Sequence, residues 1–276
     1  MGAFQLFYSA LAPLSSSLSW TAISSIGKSN VARLTILTPI LGYLVLYNNT
    51  LNSALELSAP LNSSIEAATG LLSSLHSRRM DFLYFGLLSL GCGVGLFSLF
   101  APGSVRRHSD EIAFVEAKMK ICTPLLIHSS LTSVIERYLR SVQGEQRSPF
   151  FGRKDSLAFP SNIDVLLHRL AEKIYTDSGF DEDPEISFRT GSGYIDTAAV
   201  IETMSSTRAV DRIYWGSFLQ SSEAFPKDIF VLEFLSDNFM LPGIRLLSGF
   251  FFLVGFLLLL VPTVTVTLII VYSWLA

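Results

Sequence analysis

Charge is scarce in this sequence. Asp, Glu, Lys and Arg make up 16% of its 276 residues, against about a quarter in an ordinary soluble domain. Cysteine is scarcer still. Cys92 lies inside an apolar run and Cys122 in a charged stretch, so no disulfide framework is expected. The four histidines, His76, His108, His128 and His168, stand at no metal-ligand spacing from one another, from a cysteine or from a carboxylate, and no metal or cofactor is expected. With a net charge of −3, the chain lacks the basic field that nucleic-acid binding uses. The opening residues MGAFQLFYSALAPL carry no positive n-region, so a cleavable signal peptide is not expected. Leu6 also stands where a myristoylation site would place Ser or Thr.

What is present is hydrophobic surface, unevenly spread. Half of the residues are hydrophobic and the mean hydropathy is +0.46. Of the 43 charged residues, 36 fall between Arg106 and Arg245. A water-soluble part is thus enclosed by apolar parts. A membrane helix needs about 20 mostly apolar residues, and three stretches qualify: 31–48 around Pro39, the uncharged 82–101, and the uncharged 246–276. The last would run to about 46 Å as one helix, an excess that tilt or a kink at Pro262 can absorb. Tyr272 and Trp274 fit an interfacial anchor there. The fold class expected is an all-α integral membrane protein, with three transmembrane helices and a mainly helical cytoplasmic domain, 102–245, inserted between the second and third. An amphipathic segment, 1–30, carries Phe4, Phe7, Leu11, Leu14 and Leu18 at helical spacing, and 49–81 reads as a helical extracytoplasmic loop with two glycosylation-type sequons.

Orientation is read from Lys and Arg beside the spans. Lys28, Arg33, Arg106, Arg107, Lys118, Lys120 and Arg245 oppose Arg78 and Arg79. That count places the N-terminus and 102–245 in the cytoplasm, in a plasma or inner membrane. Within the domain, helices are expected over 109–122 from a Ser109 cap, from Pro124 to about Val142, from a Ser161 cap onward, and over Ile195 to Leu219. The apolar run from Ile229 to Met240 reads as a segment able to dock on a membrane surface. Gln143 to Pro160 and Thr176 to Gly193 read as loops, with a strand possible at Ile186 to Arg189 but no evident partner for it.

No catalytic pattern emerges. Ser25-Ile26-Gly27-Lys28-Ser29 ends like a phosphate-binding loop, but Ala22 stands where the loop's first glycine belongs; Ser29 or Asn30 capping the first span is the simpler reading. Asp177, Asp181, Glu182, Asp183 and Glu185 lack EF-hand spacing, and no Gly-x-Ser-x-Gly elbow occurs. The second span, by contrast, is rich in small residues. Gly86, Ser89, Gly91, Gly93 and Gly95 form overlapping lines at three- and four-residue spacing, the pattern through which membrane helices approach closely. They are the expected helix–helix interface, within one chain or between chains. The spans hold no ionisable residue beyond Arg33 at an edge, which speaks against an ion-coupled transporter acting alone. The leading expectation is therefore a scaffold or accessory subunit of a membrane complex. Its partners would be the lipid bilayer and either itself or another membrane protein, with no nucleic acid. An oligomeric pore and a membrane-anchored enzyme are the alternatives.

Overall fold

A computed structural model describes residues 18–28, 78–143, 160–180, 188–205 and 211–275. The expected first span, nearly all of the 49–81 loop, the sequons, the Ser29 and Asn30 caps, most of the N-terminal stripe and the acidic residues 181–185 lie outside these residues. Among the described residues the fold is all-helical, and two helices are long and apolar enough to cross a membrane.

The helices are α1 (Trp20–Gly27), α2 (Arg79–Phe100), α3 (Gly103–Arg107), α4 (Glu111–Met119), α5 (Pro124–Gln143), α6 (Ser161–Asp177), α7 (Thr197–Ser205), α8 (Asp211–Ser222), α9 (Pro226–Asn238) and α10 (Pro242–Leu275). The chain divides into two compact units. One comprises Met1–Ala22 with Ala101–Arg245, the other Ile23–Phe100 with Leu246–Ala276.

In the first unit α9 is the central helix and packs on α3, α4, α5 and α6. Ile229, Phe230, Leu232 and Phe234 are all buried, so the run that reads in sequence as a membrane-docking segment is the core of the helical domain. It lacks an amphipathic period because neighbours cover it on several sides. Around it, α5 presents Ile127, Leu131, Val134 and Ile135, and α6 presents Ile163, Leu167, Leu170 and Ile174, each set at three- and four-residue intervals. The cap of α4 is Asp110, not Ser109: its carboxylate accepts from the Ala113 amide at 2.8 Å, while Ser109 Oγ donates to Asp110. At α6, Ser161 is the first helical residue behind Pro160 and no side chain caps the helix. The Ile195–Leu219 region contains two helices, α7 and α8. The strand without a partner also has one: Arg189 bridges Ile195 antiparallel across a turn in which Gly193 adopts φ 84°, a conformation open to glycine.

In the second unit α2 and α10 run antiparallel. Ser89 Oγ donates to the Phe251 carbonyl at 2.8 Å and Ser248 Oγ to the Gly93 carbonyl at 3.1 Å. Gly86 and Gly255 meet backbone to backbone; a Cβ on Gly255 would stand 2.9 Å from the Gly86 carbonyl oxygen and 2.7 Å from Leu90. The 34-residue α10 begins at Pro242, where a missing N–H costs nothing in the first turn. It continues through Pro262 for a length of about 51 Å. Thr263, Thr265 and Thr267 donate to the carbonyls four residues back, so their hydroxyls are satisfied by their own helix.

Candidate functional site

The expected interface residues separate into two groups. Gly86, Ser89 and Gly93 are buried against α10: the carbonyls or side chains of Phe251, Phe252, Gly255 and Leu259 stand within contact distance. Gly95 has open space where a Cβ would project, Gly91 is half-buried and Cys92 is exposed. Close approach at the first group follows from the missing side chains. Each serine hydroxyl then finds a backbone carbonyl, which in an apolar setting it must do to avoid an unsatisfied donor.

A second site was not legible in sequence. The chain passes between the two units after Ala22, Phe100 and Arg245. Within the first unit, the stretches flanking all three passages are bonded to the end of α9 and the residues just after it. The Trp20 indole N–H donates to the Met240 carbonyl at 2.7 Å, and Trp20 is fully buried. Asn238 accepts from the Thr21 amide at 2.8 Å and donates to Thr21 Oγ1 at 3.1 Å. Asp237 accepts from Ser104 Oγ at 2.6 Å and from the Arg137 guanidinium, which also donates to Ser236 Oγ at 2.7 Å. Arg245 is buried, with its guanidinium 5.1 Å from the Phe239 ring. Burial pushes the Asp237 carboxyl above the ordinary carboxylate range; Arg137 and Ser104 pull it back down, and Glu233 adds to the rise. Between α9 and α10 the backbone turns at Leu241 with φ 52°. That left-handed conformation costs a non-glycine residue roughly 1–2 kcal/mol, and the bonded residues on either side hold it in place.

Two further polar groups tie the domain together. Lys118 pairs with Glu233 at 2.5 Å and Ser130 at 3.0 Å, with the Phe114 and Phe230 rings each 5.2 Å away. The His168 ring joins three helices: Nδ1 lies 2.6 Å from Thr197 Oγ1 and Nε2 3.1 Å from Tyr138 Oη. Asp164 is 3.5 Å from Nε2. Desolvation, with Asp164 nearby, raises the Tyr138 hydroxyl above its usual value. A hydroxyl on an imidazole is the geometry of an activated nucleophile. An open groove on α6, lined by Arg169, Glu172, Lys173, Thr176, Asp177 and Phe225, does not include any of the three. Among the described residues no three His, Cys, Asp or Glu side chains gather as a metal site.

No family model, no curated protein and no solved structure matches the chain.

Proposed function

We propose that this is a multi-pass integral membrane protein that works by assembly or partner binding, as a scaffold or accessory subunit whose helical domain, 102–245, makes the contacts. The observation that carries the reading is the α2–α10 pair. Two long apolar helices are seated on each other through Gly86, Ser89, Gly93, Ser248 and Gly255, while Gly95 leaves space on α2 for a further helix. Small residues are how helices associate where lipid removes the hydrophobic drive between them. The antiparallel pairing also brings the end of α2 and the start of α10 to one end of the pair, so a domain inserted between them emerges on one side of a membrane. The Lys and Arg count makes that side the cytoplasm.

The bonds that gather the stretches beside the three chain passages at the end of α9 support the same reading, because they give the helical domain itself one ordered end. The pore alternative gains nothing from α10, whose threonine hydroxyls are already bonded.

The test is the mass of the complex purified in mild detergent from its native cells, with every co-purifying chain identified. A multimer of this chain, or a stoichiometric complex with another membrane protein, supports the proposal. A monomer that carries no partner overturns it.

A further inference from the structure

The geometry points to Thr197 as a nucleophilic hydroxyl that takes an acyl group from a small ester or thioester, with His168 as its general base. All the residues involved belong to the helical domain, so the inference stands or falls independently of the membrane reading.

Four polar side chains from three helices form one hydrogen-bonded chain, and its direction is fixed. The Asp164 carboxylate, on α6, only accepts. Tyr138, on α5, has one hydroxyl proton and gives it to Asp164. Its oxygen, 3.1 Å from His168 Nε2, therefore accepts from the Nε2–H. Asp164 Oδ1, 3.5 Å from the same nitrogen, draws the proton to the same side. A neutral imidazole protonated at Nε2 keeps its lone pair at Nδ1. That lone pair faces Thr197 Oγ1 at 2.6 Å, so the threonine hydroxyl donates to it. The Tyr138 ring stands at 88° to the imidazole, with centroids 5.8 Å apart, which fixes the plane of the base. A hydroxyl, a base and a group that orients the base, in series, is the arrangement that activates a nucleophile.

Thr197 is itself held in place. The Asp196 amide donates to the Phe188 carbonyl at 2.7 Å and Arg189 bridges Ile195, so a closed hairpin delivers the first residue of α7 to the imidazole. Asp196 then accepts from the Ala199 amide on its carboxylate and from the Val200 amide on its carbonyl, both at 3.1 Å. The Thr197 and Ala198 amides have no partner inside α7. They lie at the positive end of the helix, where the oxyanion of acyl transfer is stabilised. Ala198 is exposed, Thr197 is half-buried and His168 keeps 29% of its side chain in solvent. Access straight from solvent suits a small acyl donor.

In the step, Thr197 Oγ1 attacks the carbonyl carbon of the donor while its proton moves to His168 Nδ1. The tetrahedral intermediate collapses, the bond to the alcohol or thiol breaks, and that leaving group takes the proton from Nδ1. The product is an O-acyl threonine. Tyr138 and Asp164 are positioning residues.

The experiment treats the full chain in mild detergent with p-nitrophenyl acetate. Nitrophenolate release is followed by absorbance, and the acetylated residue is located by mass spectrometry. Acetyl should appear at position 197 in the wild type and in Thr197→Ser, which keeps a hydroxyl. His168→Ala should slow acetylation there by about 100-fold or more, the share of a general base, and Tyr138→Phe should slow it to a lesser degree. Imidazole added to His168→Ala should restore part of the rate. Because that rescue is read within one variant, loss of fold cannot mimic it, and a merely structural histidine gives none. Acetyl on lysines but never at 197 in the wild type overturns the inference, as does equal acetylation at 197 with and without His168. A nitrophenolate burst that survives Thr197→Val makes another group the nucleophile and refutes it equally.

Discussion

Alanine in place of Gly255 should loosen the α2–α10 pair, and alanine in place of Gly95 should not. A Cβ at 255 would meet Leu90 side-chain carbons at 2.7 Å and the Gly86 carbonyl oxygen at 2.9 Å, where ordinary carbon contacts need about 3.5–4.0 Å. The Leu90 side chain is buried, at 5% exposure, and the Gly86 oxygen is backbone, so relief requires the helices to part. Overpacking of this kind costs about 1–3 kcal/mol. Parting would also stretch the Ser89 and Ser248 bonds, worth on average about 0.6 kcal/mol each between membrane helices. Both alanines gain about the same 1 kcal/mol of helix propensity over glycine, so the comparison between them isolates the steric term. The expected gap is about 1–3 kcal/mol, or roughly 5- to 140-fold in the folding equilibrium. Unfolding in mixed micelles by titrated dodecyl sulfate, followed by circular dichroism, reads it. Equal stability of Gly255→Ala and Gly95→Ala would refute the seam.

Asp237→Ala should destabilise the helical domain by about 3 kcal/mol, the lower end for breaking a buried ion pair, because Arg137 keeps 25% of its side chain exposed; thermal unfolding of the full chain reads this. The pH dependence has a definite sign. Burial raises the Asp237 carboxyl, so the folded state holds the proton more tightly than the unfolded chain. Its contribution is full below the ordinary value near 3.9 and is lost as pH rises through the raised value. The stability of the wild type relative to Asp237→Asn should therefore fall across that window, and a difference that stays flat contradicts the assignment. Trp20→Phe should cost about 1 kcal/mol through the lost bond to the Met240 carbonyl, read in the same unfolding transitions. No loss would mean that the indole nitrogen does not anchor α1.

The elements readable in sequence are those whose cause is local. Phe82 to Phe100 and Leu246 onward declare themselves by uninterrupted apolar character, and α5 and α6 by the period of Ile127–Ile135 and Ile163–Ile174. The start of α4 differs by one residue from the expected one because Ser109 and Asp110 both suit a cap, and only the register of the Ala113 amide decides between them. The role of α9 was hidden for a different reason. A helix covered on several sides has no polar stripe, and its composition matches that of a membrane-surface segment. The polar group on Asp237 was beyond sequence reasoning altogether, since Ser104, Arg137 and Asp237 belong to three helices and meet only once α9 is seated. Of the small residues on α2, spacing alone marked all five alike; which of them touch α10 depends on the rotation of α2 about its own axis.

The seam between α2 and α10 also sets an order of events during synthesis. Residues 101–245 separate its two halves, and at ordinary rates of elongation a ribosome needs on the order of ten to thirty seconds to make them. For that interval Gly86 and Ser89 are without the carbonyls and side chains they will pack on, while α9, α5 and α6 have already been translated and can collapse on one another. The helical domain is thus in a position to mature before the apolar pair closes. Closure then depends on α10 arriving in the one register that sets Gly255 opposite Gly86, since a shift of one turn would place Leu259 there instead.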